Sequence, residues 1–232
     1  MASARIWRRR TRILGGVALA LALAGLTAWL FAINWQPDRK AFPVQGVDIS
    51  EANPPIDWFT VKATHEIQFV YVRASMGATG RDKLFPMHWA GLQQAGMRRG
   101  AIHIFSLCQL AADQAGNLVA TVPPSPDALP VALDLAFDPG CAAHPERGVV
   151  LSEISRFIKS VEGATGKRVI LRVTPEFEAR YHVSGAIPRK LWSVQAFFPP
   201  AYFDKPWTMW QASRVRRFSG IGGAVNWNVM VK

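Results

Sequence analysis

The sequence predicts an α/β domain of parallel β-α-β units behind one N-terminal membrane-spanning segment. Three observations predict it. Short apolar, β-branched runs alternate with amphipathic stretches of helical period through most of the chain. Two of these runs, Gly46-Val47-Asp48-Ile49-Ser50 and Val131-Ala132-Leu133-Asp134-Leu135-Ala136, end by presenting an aspartate. That is how α/β enzymes set carboxylates at the carboxyl ends of buried strands, facing a ligand cleft. Finally, Ile13 to Trp35 is a run of 23 residues without a charge, close to the ~20 that cross ~30 Å of hydrocarbon as a helix.

The elements follow in order. Residues 1–12 form a basic tail with Arg5, Arg8, Arg9, Arg10 and Arg12 and no acidic residue. This charge pattern places the N-terminus in the cytoplasm and the rest of the chain in the periplasm or cell exterior. Residues 13–35 read as a signal anchor in the inner membrane, with Trp29 and Trp35 as interfacial anchors. A cleavable signal peptide is the rival, although its apolar core runs only ~7–15 residues and Ala22-Leu23-Ala24, the candidate cleavage site, lies inside the run. Residues 36–42 are a short polar linker, and 43–232 are the exported domain.

Within that domain Phe69 to Arg73 is a strand, and Phe85 to Gly96 a helix with Phe85, Trp89 and Leu92 on one face. Ala101 to Phe105 is the next strand and Leu110 to Ala120 a helix that ends before Pro123-Pro124. Pro130 to Ala136 is apolar except for Asp134, as a strand buried on both faces should be. Ser152 to Glu162 is a helix capped by Ser152, with Ile154, Phe157, Ile158 and Val161 as its apolar face and Gly163 or Gly166 as its stop. Arg168 to Thr174 is a strand and Pro175 to Arg180 a short helix. Strands at Leu191–Phe197, Thr208–Ser213 and Gly222–Val231 complete the chain. The short gaps between these last strands leave no room for full helices, so the domain finishes irregularly.

The formal charge is +11; without the five N-terminal arginines it is +6, from 22 Lys and Arg against 16 Asp and Glu. A moderately basic domain outside a membrane suits an anionic polymer such as cell-wall glycan, and it would also suit nucleic acid or lipid headgroups. The basic residues are scattered rather than clustered, which argues against nucleic acid. No His/Cys pair has metal-ligand spacing. The two cysteines, Cys108 and Cys141, each lie just beyond a strand, at 102–107 and 131–136. If those strands are neighbours the cysteines form a disulfide in an oxidising compartment; otherwise they are two unrelated thiols.

Several of these pieces together resemble glycoside hydrolase family 25, the lysozymes or muramidases that cut peptidoglycan. That family opens with Gly-x-Asp-[Val/Ile]-Ser and then Ile-Asp-Trp, matched by Gly46 to Ser50 and Ile56-Asp57-Trp58. Its Gly-Ala-Tyr-His is matched by Gly100-Ala101-Ile102-His103. Phe69 to Ser75, Leu191-Trp192, Trp210-Gln211-Ala212-Ser213 and Gly220 to Asn228 are also similar. The resemblance covers residues 44–232 and implies an irregular, TIM-like (β/α) barrel of about five β/α units plus extra strands. The activity it implies is hydrolysis of the β-1,4 bond between N-acetylmuramic acid and N-acetylglucosamine, without metal or organic cofactor, on peptidoglycan glycan strands.

The family mechanism is substrate-assisted: the sugar's own acetamido carbonyl attacks the anomeric carbon. An aspartate steadies that group, and a glutamate two residues on, hence on the same strand face, is the acid/base. The resemblance therefore assigns Asp134 the stabilising role and Asp48 a supporting carboxylate. The acid's place is taken by Ala136. Asp138, two residues further, is the substitute acid if the strand continues. Arg73, His103, Trp192, Trp210 and Gln211 are carried over as substrate-binding positions, with Trp192 and Trp210 either stacking platforms for sugar rings or, equally, core-packing residues. So is Asn226, where the family has Asp, and Arg172, where it has Tyr. Arg172 either pairs with Asp134, binds the carboxylates of peptidoglycan, or is a solvated strand-end residue; His103 reads equally as a structural histidine. The expectation is a lysozyme-class hydrolase impaired or inactive as written. The alternative is a catalytically inactive glycan-binding pseudoenzyme or envelope scaffold.

Overall fold

A computed structural model describes residues 2–231. The side chains of Arg5, Arg8 and Arg9, on which the expected orientation of the N-terminus rests, lie outside the described residues. The chain divides into two units, Met1–Gln36 and Pro37–Lys232. The first is one helix, α1 (Ala2–Asn34), of 33 residues. Its portion Arg10–Asn34 is long and apolar enough to cross a membrane.

The second unit is a closed barrel. Its strands are β1 (Val44–Ile49), β2 (Phe69–Met76), β3 (Gly80–Arg81), β4 (Arg98–Ile104), β5 (Ala132–Leu135), β6 (Ile170–Val173), β7 (Lys190–Ser193), β8 (Met209–Arg216) and β9 (Val225–Met230). The sheet order β1-β9-β8-β7-β6-β5-β4-β2 closes on itself because β1 also pairs with β2, so eight strands form the ring and β3 extends β2. Within the ring, neighbours are parallel from β1 through β2 to β8 and β9 runs against its two neighbours; outside it β3 is antiparallel to β2. The helices α2 (Trp58–Ala63), α3 (Phe85–Gln94), α4 (Ala111–Thr121), α5 (Arg147–Thr165), α6 (Pro175–Tyr181) and α7 (Val183–Ala186) lie between strands as far as β7; β7 to β9 follow one another without a helix.

Alternation along each strand sorts side chains between the barrel interior and the helical layer. Phe69, Tyr71, Ile102, Ala132, Ile170, Trp192 and Met209 form one interior cluster. Two glycines make room for it. A Cβ on Gly46 would meet the Phe69 ring and its carbonyl oxygen, and one on Gly100 the Tyr71 ring. The aromatic floor of the barrel therefore requires glycine in both of the motifs that open strands β1 and β4.

Three expectations need correction. Helix α5 starts at Arg147, five residues before Ser152, with Glu146 as its N-cap residue and no side-chain cap. Val150, 1 % exposed, extends the apolar face back by one turn, and packing overrides the local Ser signal. The helix does stop at Gly166, whose φ of 68° suits a glycine C-cap. Strand β4 spans 98–104 rather than 101–105, and strand β5 ends at Leu135, which leaves Ala136 and Asp138 in the loop beyond it.

The cysteines are bridged: Cys108 and Cys141 form a disulfide with a Cα–Cα distance of 5.9 Å. The reason is topological, since β4 and β5 are parallel neighbours and the loops leaving their carboxyl ends meet.

Candidate active site

At the carboxyl end of the barrel strands lies a cavity of about 340 Å³, lined among others by Asp48, Arg73, Asp134, Arg172, Arg214 and Asn226. Strand parity explains the set. Asp134 follows the interior residue Ala132 by two, and Arg172 follows Ile170 by two, so each is the next inward side chain toward the open end.

The centre of the site is a guanidinium held between two carboxylates. Arg172 Nη1 donates to Asp134 Oδ2 at 2.6 Å, and its Nη2 donates to Gln211 Oε1 at 2.5 Å. The same Nη2 stands 4.0 Å from Asp48 Oδ2, and the guanidinium carbon lies 5.2 Å from the centre of the Trp192 ring. Asp48 in turn accepts two amide hydrogen bonds, from Asn226 Nδ2 at 2.7 Å and from Asn228 Nδ2 at 2.8 Å. Trp192 Nε1 donates to Asn228 Oδ1 at 3.0 Å, which fixes the Asn228 amide with its NH₂ toward Asp48. An aspartate at position 226 would instead set a second carboxylate against Asp48.

Charge balance here depends on burial. Asp134 and Arg172 are each 8 % exposed. Burial pushes the Asp134 carboxyl above the usual carboxylate range, against the pull of the Arg172 guanidinium. Burial also works to lower Arg172, but the Asp134 and Asp48 carboxylates outweigh it and hold the guanidinium above its ordinary value. The two groups are therefore mutually dependent. One acceptor is left over: Asp134 Oδ1 is buried and makes no hydrogen bond among the described residues, and in an interior such an atom calls for a partner.

The remaining sequence-derived positions separate into those in the cavity and those elsewhere. Arg73 lines it, with its guanidinium pinned by Asp82 Oδ2 at 3.0 Å and Glu51 Oε1 at 3.1 Å. His103 does not. It sits between the inward-facing Ile102 and Ile104, so its ring turns to the helical layer. There it contacts Ser75 Oγ at 2.8 Å and Gln114 Oε1 at 3.4 Å, and stacks on Phe157 at 4.9 Å. Burial drives its pKa down to about 4, so it is a neutral core histidine. Trp210 is also turned outward, packing on Phe42 at 5.6 Å and Trp207 at 6.2 Å and donating to the Gln195 carbonyl. Trp192 is fully buried under Arg172, which leaves no face open for a sugar ring.

Ala136 lies just past β5, and the Asp138 carboxylate caps its own turn by accepting from Gly140 N at 2.9 Å, while the Asp138 carbonyl accepts from Cys141 N at 2.9 Å. The Asp57 of Ile56-Asp57-Trp58 likewise caps α2, accepting from Phe59 N and Thr60 N. Sequence reasoning missed Asn228 and Arg214. The first was findable, since Asn226 and Asn228 are two apart on a strand and must share a face. Arg214 carries no signal that separates it from its basic neighbours Arg216 and Arg217.

Comparison with known proteins agrees with this architecture. Residues 47–221 match the model of glycosyl hydrolases family 25. The uncharacterized protein YegX of Escherichia coli K12 is 29% identical over 197 residues, which cover 82% of this chain and 70% of that protein. Lysozyme M1 of Streptomyces globisporus is 26% identical over 200 residues, 80% of this chain and 67% of that one. Among solved structures, a family 25 glycosyl hydrolase from Bacillus anthracis superposes with a TM-score of 0.77 at 29% identity, covering 84% of this chain and 91% of that one. The match spans most of the barrel, and the chain belongs to glycosyl hydrolases family 25.

Proposed function

We propose that this protein is a membrane-anchored, peptidoglycan-directed domain of the lysozyme class that holds glycan in the Asp48–Asp134–Arg172 cavity and has lost the hydrolytic step. The carrying observation is the state of Asp134. One oxygen is clamped by Arg172 at 2.6 Å, and the other, Oδ1, is buried without a partner. An acetamido N–H of an amino sugar supplies the missing donor once ligand entry displaces the side chains that cover this oxygen. Asp48, held by two asparagine amides, supports the same ligand.

Cleavage needs a proton for the leaving oxygen. Position 136 carries a methyl group, Asp138 is engaged in its own turn and Asp48 is held by two asparagine amides, so among the described residues no carboxyl group stands free at the acid's place. Loss of a general acid removes ~10²- to 10⁴-fold in rate. Two further features support the setting. The apolar helix α1 suits an anchor in the inner membrane with the barrel on the outer side, and the disulfide suits an oxidising compartment.

The test is a pair of measurements on the purified full chain: cosedimentation with isolated sacculi, and release of reducing sugar from them. The reading expects binding without release. Vigorous release would restore the hydrolase reading, and neither binding nor release would leave only an envelope scaffold.

A further inference from the structure

The opposite end of the barrel carries a second and larger cavity, of about 600 Å³, within the ~300–1,000 Å³ of ligand sites. Its floor is the first interior layer, Phe69, Ile170, Met209 and Met230, and its rim carries Arg98, Arg168 and Lys190. The topology assembles both. Phe69, Arg98, Ile170, Lys190 and Met209 are each the first residue of a parallel strand, and Met230 is the last residue of the one antiparallel strand.

The charges of this mouth are largely uncompensated: only Arg168, together with Arg189, acts on a carboxylate, that of Glu162. No Asp or Glu lines it. Arg98, Arg168 and Lys190 are exposed. Arg168 donates to the Pro188 carbonyl at 2.7 Å, and none of the three makes an ion pair among the described residues. The fourth cation, Arg189, is neutralised by Glu162 at 2.7 Å. Three like charges around an apolar floor repel one another and leave that floor wet. A small inorganic anion would answer the charge and not the floor, and an apolar molecule the floor and not the charge. An anionic amphiphile answers both. Strand β1 begins at this same end, since Val44 pairs with Met230. The segment leading into it, which follows the apolar helix in the chain, adds Arg39 and Lys40.

We propose that this mouth is an anionic phospholipid site. The phosphodiester sits among Arg98, Arg168 and Lys190, and a length of acyl chain lies on Phe69, Met209 and Met230. The inference is independent of the glycan reading, whose cavity lies at the other end of the strands.

The test is native mass spectrometry of the full chain in a non-ionic detergent, titrated with phosphatidylglycerol or phosphatidylcholine. The wild type should retain phosphatidylglycerol preferentially. Arg98→Gln with Lys190→Gln should lower that preference roughly thirtyfold, and adding Arg168→Gln roughly 150-fold, at about fivefold per cation. These substitutions are on exposed side chains and leave the arginines of residues 1–12 in place. An unchanged preference in both variants would mean that the N-terminal segment holds the lipid, and would overturn the proposal. So would competition by glycerol phosphate at the same concentration as the lipid, which would make the site a bare anion site with no use for its floor.

Discussion

Arg172 and Asp134 are joined at 2.6 Å in the interior of the barrel mouth, directly opposite each other as register partners across parallel strands β5 and β6. Everything else in the site is arranged around that pair. Gln211 takes the second Nη of Arg172, Trp192 lies beneath its plane, and Asp48 stands beyond it. The aspartate that the resemblance makes a substrate-steadying group is thereby tied to a permanent cation.

Restoring the acid alone should achieve little. We expect Ala136→Glu to raise muramidase activity less than tenfold, because Asp134 stays clamped. Ala136→Glu with Arg172→Tyr should raise it by about 10²-fold or more, on the scale of a general acid. Reducing-sugar release from sacculi measures both. Equal rates in the single and double variants would show that the clamp does not matter to catalysis.

Removing the cation should cost stability in a pH-dependent way. Arg172→Met leaves Asp134 buried beside Asp48 with no counter-charge, which costs about 3–5 kcal/mol for a broken buried pair. Burial and Asp48 both raise the Asp134 pKa. A carboxyl with a raised folded pKa binds more protons folded than unfolded, so its contribution is lost as pH rises through that value. Urea denaturation should therefore show a larger deficit at pH 7 than at pH 4.5. A deficit independent of pH would mean that packing, not charge, is what Arg172 supplies.

Histidine 103 should produce a slope of the opposite sign. Its folded pKa is lowered from 6.5 to about 4, so the unfolded state binds the extra proton. Its contribution is complete above pH 6.5 and is lost as pH falls toward 4, on the order of 3 kcal/mol across the window. His103→Gln should flatten that part of the stability–pH curve. A wild-type curve already flat between pH 4 and 6.5 would contradict a buried neutral ring.

The disulfide should be complete and stabilising. Thiol labelling of unreduced, denatured protein should find no free cysteine. Reduction should destabilise the barrel by about 3–4 kcal/mol for a loop of this length, given the separation of 33 residues. Cys108→Ser with Cys141→Ser should match the reduced protein, and two labelled thiols in the native chain would refute the bridge.

The sequence alone determined the order of the main strands and helices, though not the short α2, α7 and β3, together with the apolar N-terminal helix and the two carboxylates at strand ends, because period and charge are local properties. It also led to the disulfide, once β4 and β5 were taken as neighbours. Tertiary structure decided which face of each strand looks inward. Ala101-Ile102-His103-Ile104 is nearly apolar throughout, so no alternation announced that Ile102 and Ile104 line the cavity while His103 faces the helices. Trp192 and Trp210 looked alike in sequence, yet ring closure put one under Arg172 and the other on the outside. Of the open readings of Arg172, only the register of β6 against β5 selected its pairing with Asp134. Whether an ionisable side chain is a ligand-binding group or a counter-ion depends on which charge stands within a few ångströms. That distance is set by strand register across a sequence separation of 38, which no local pattern encodes.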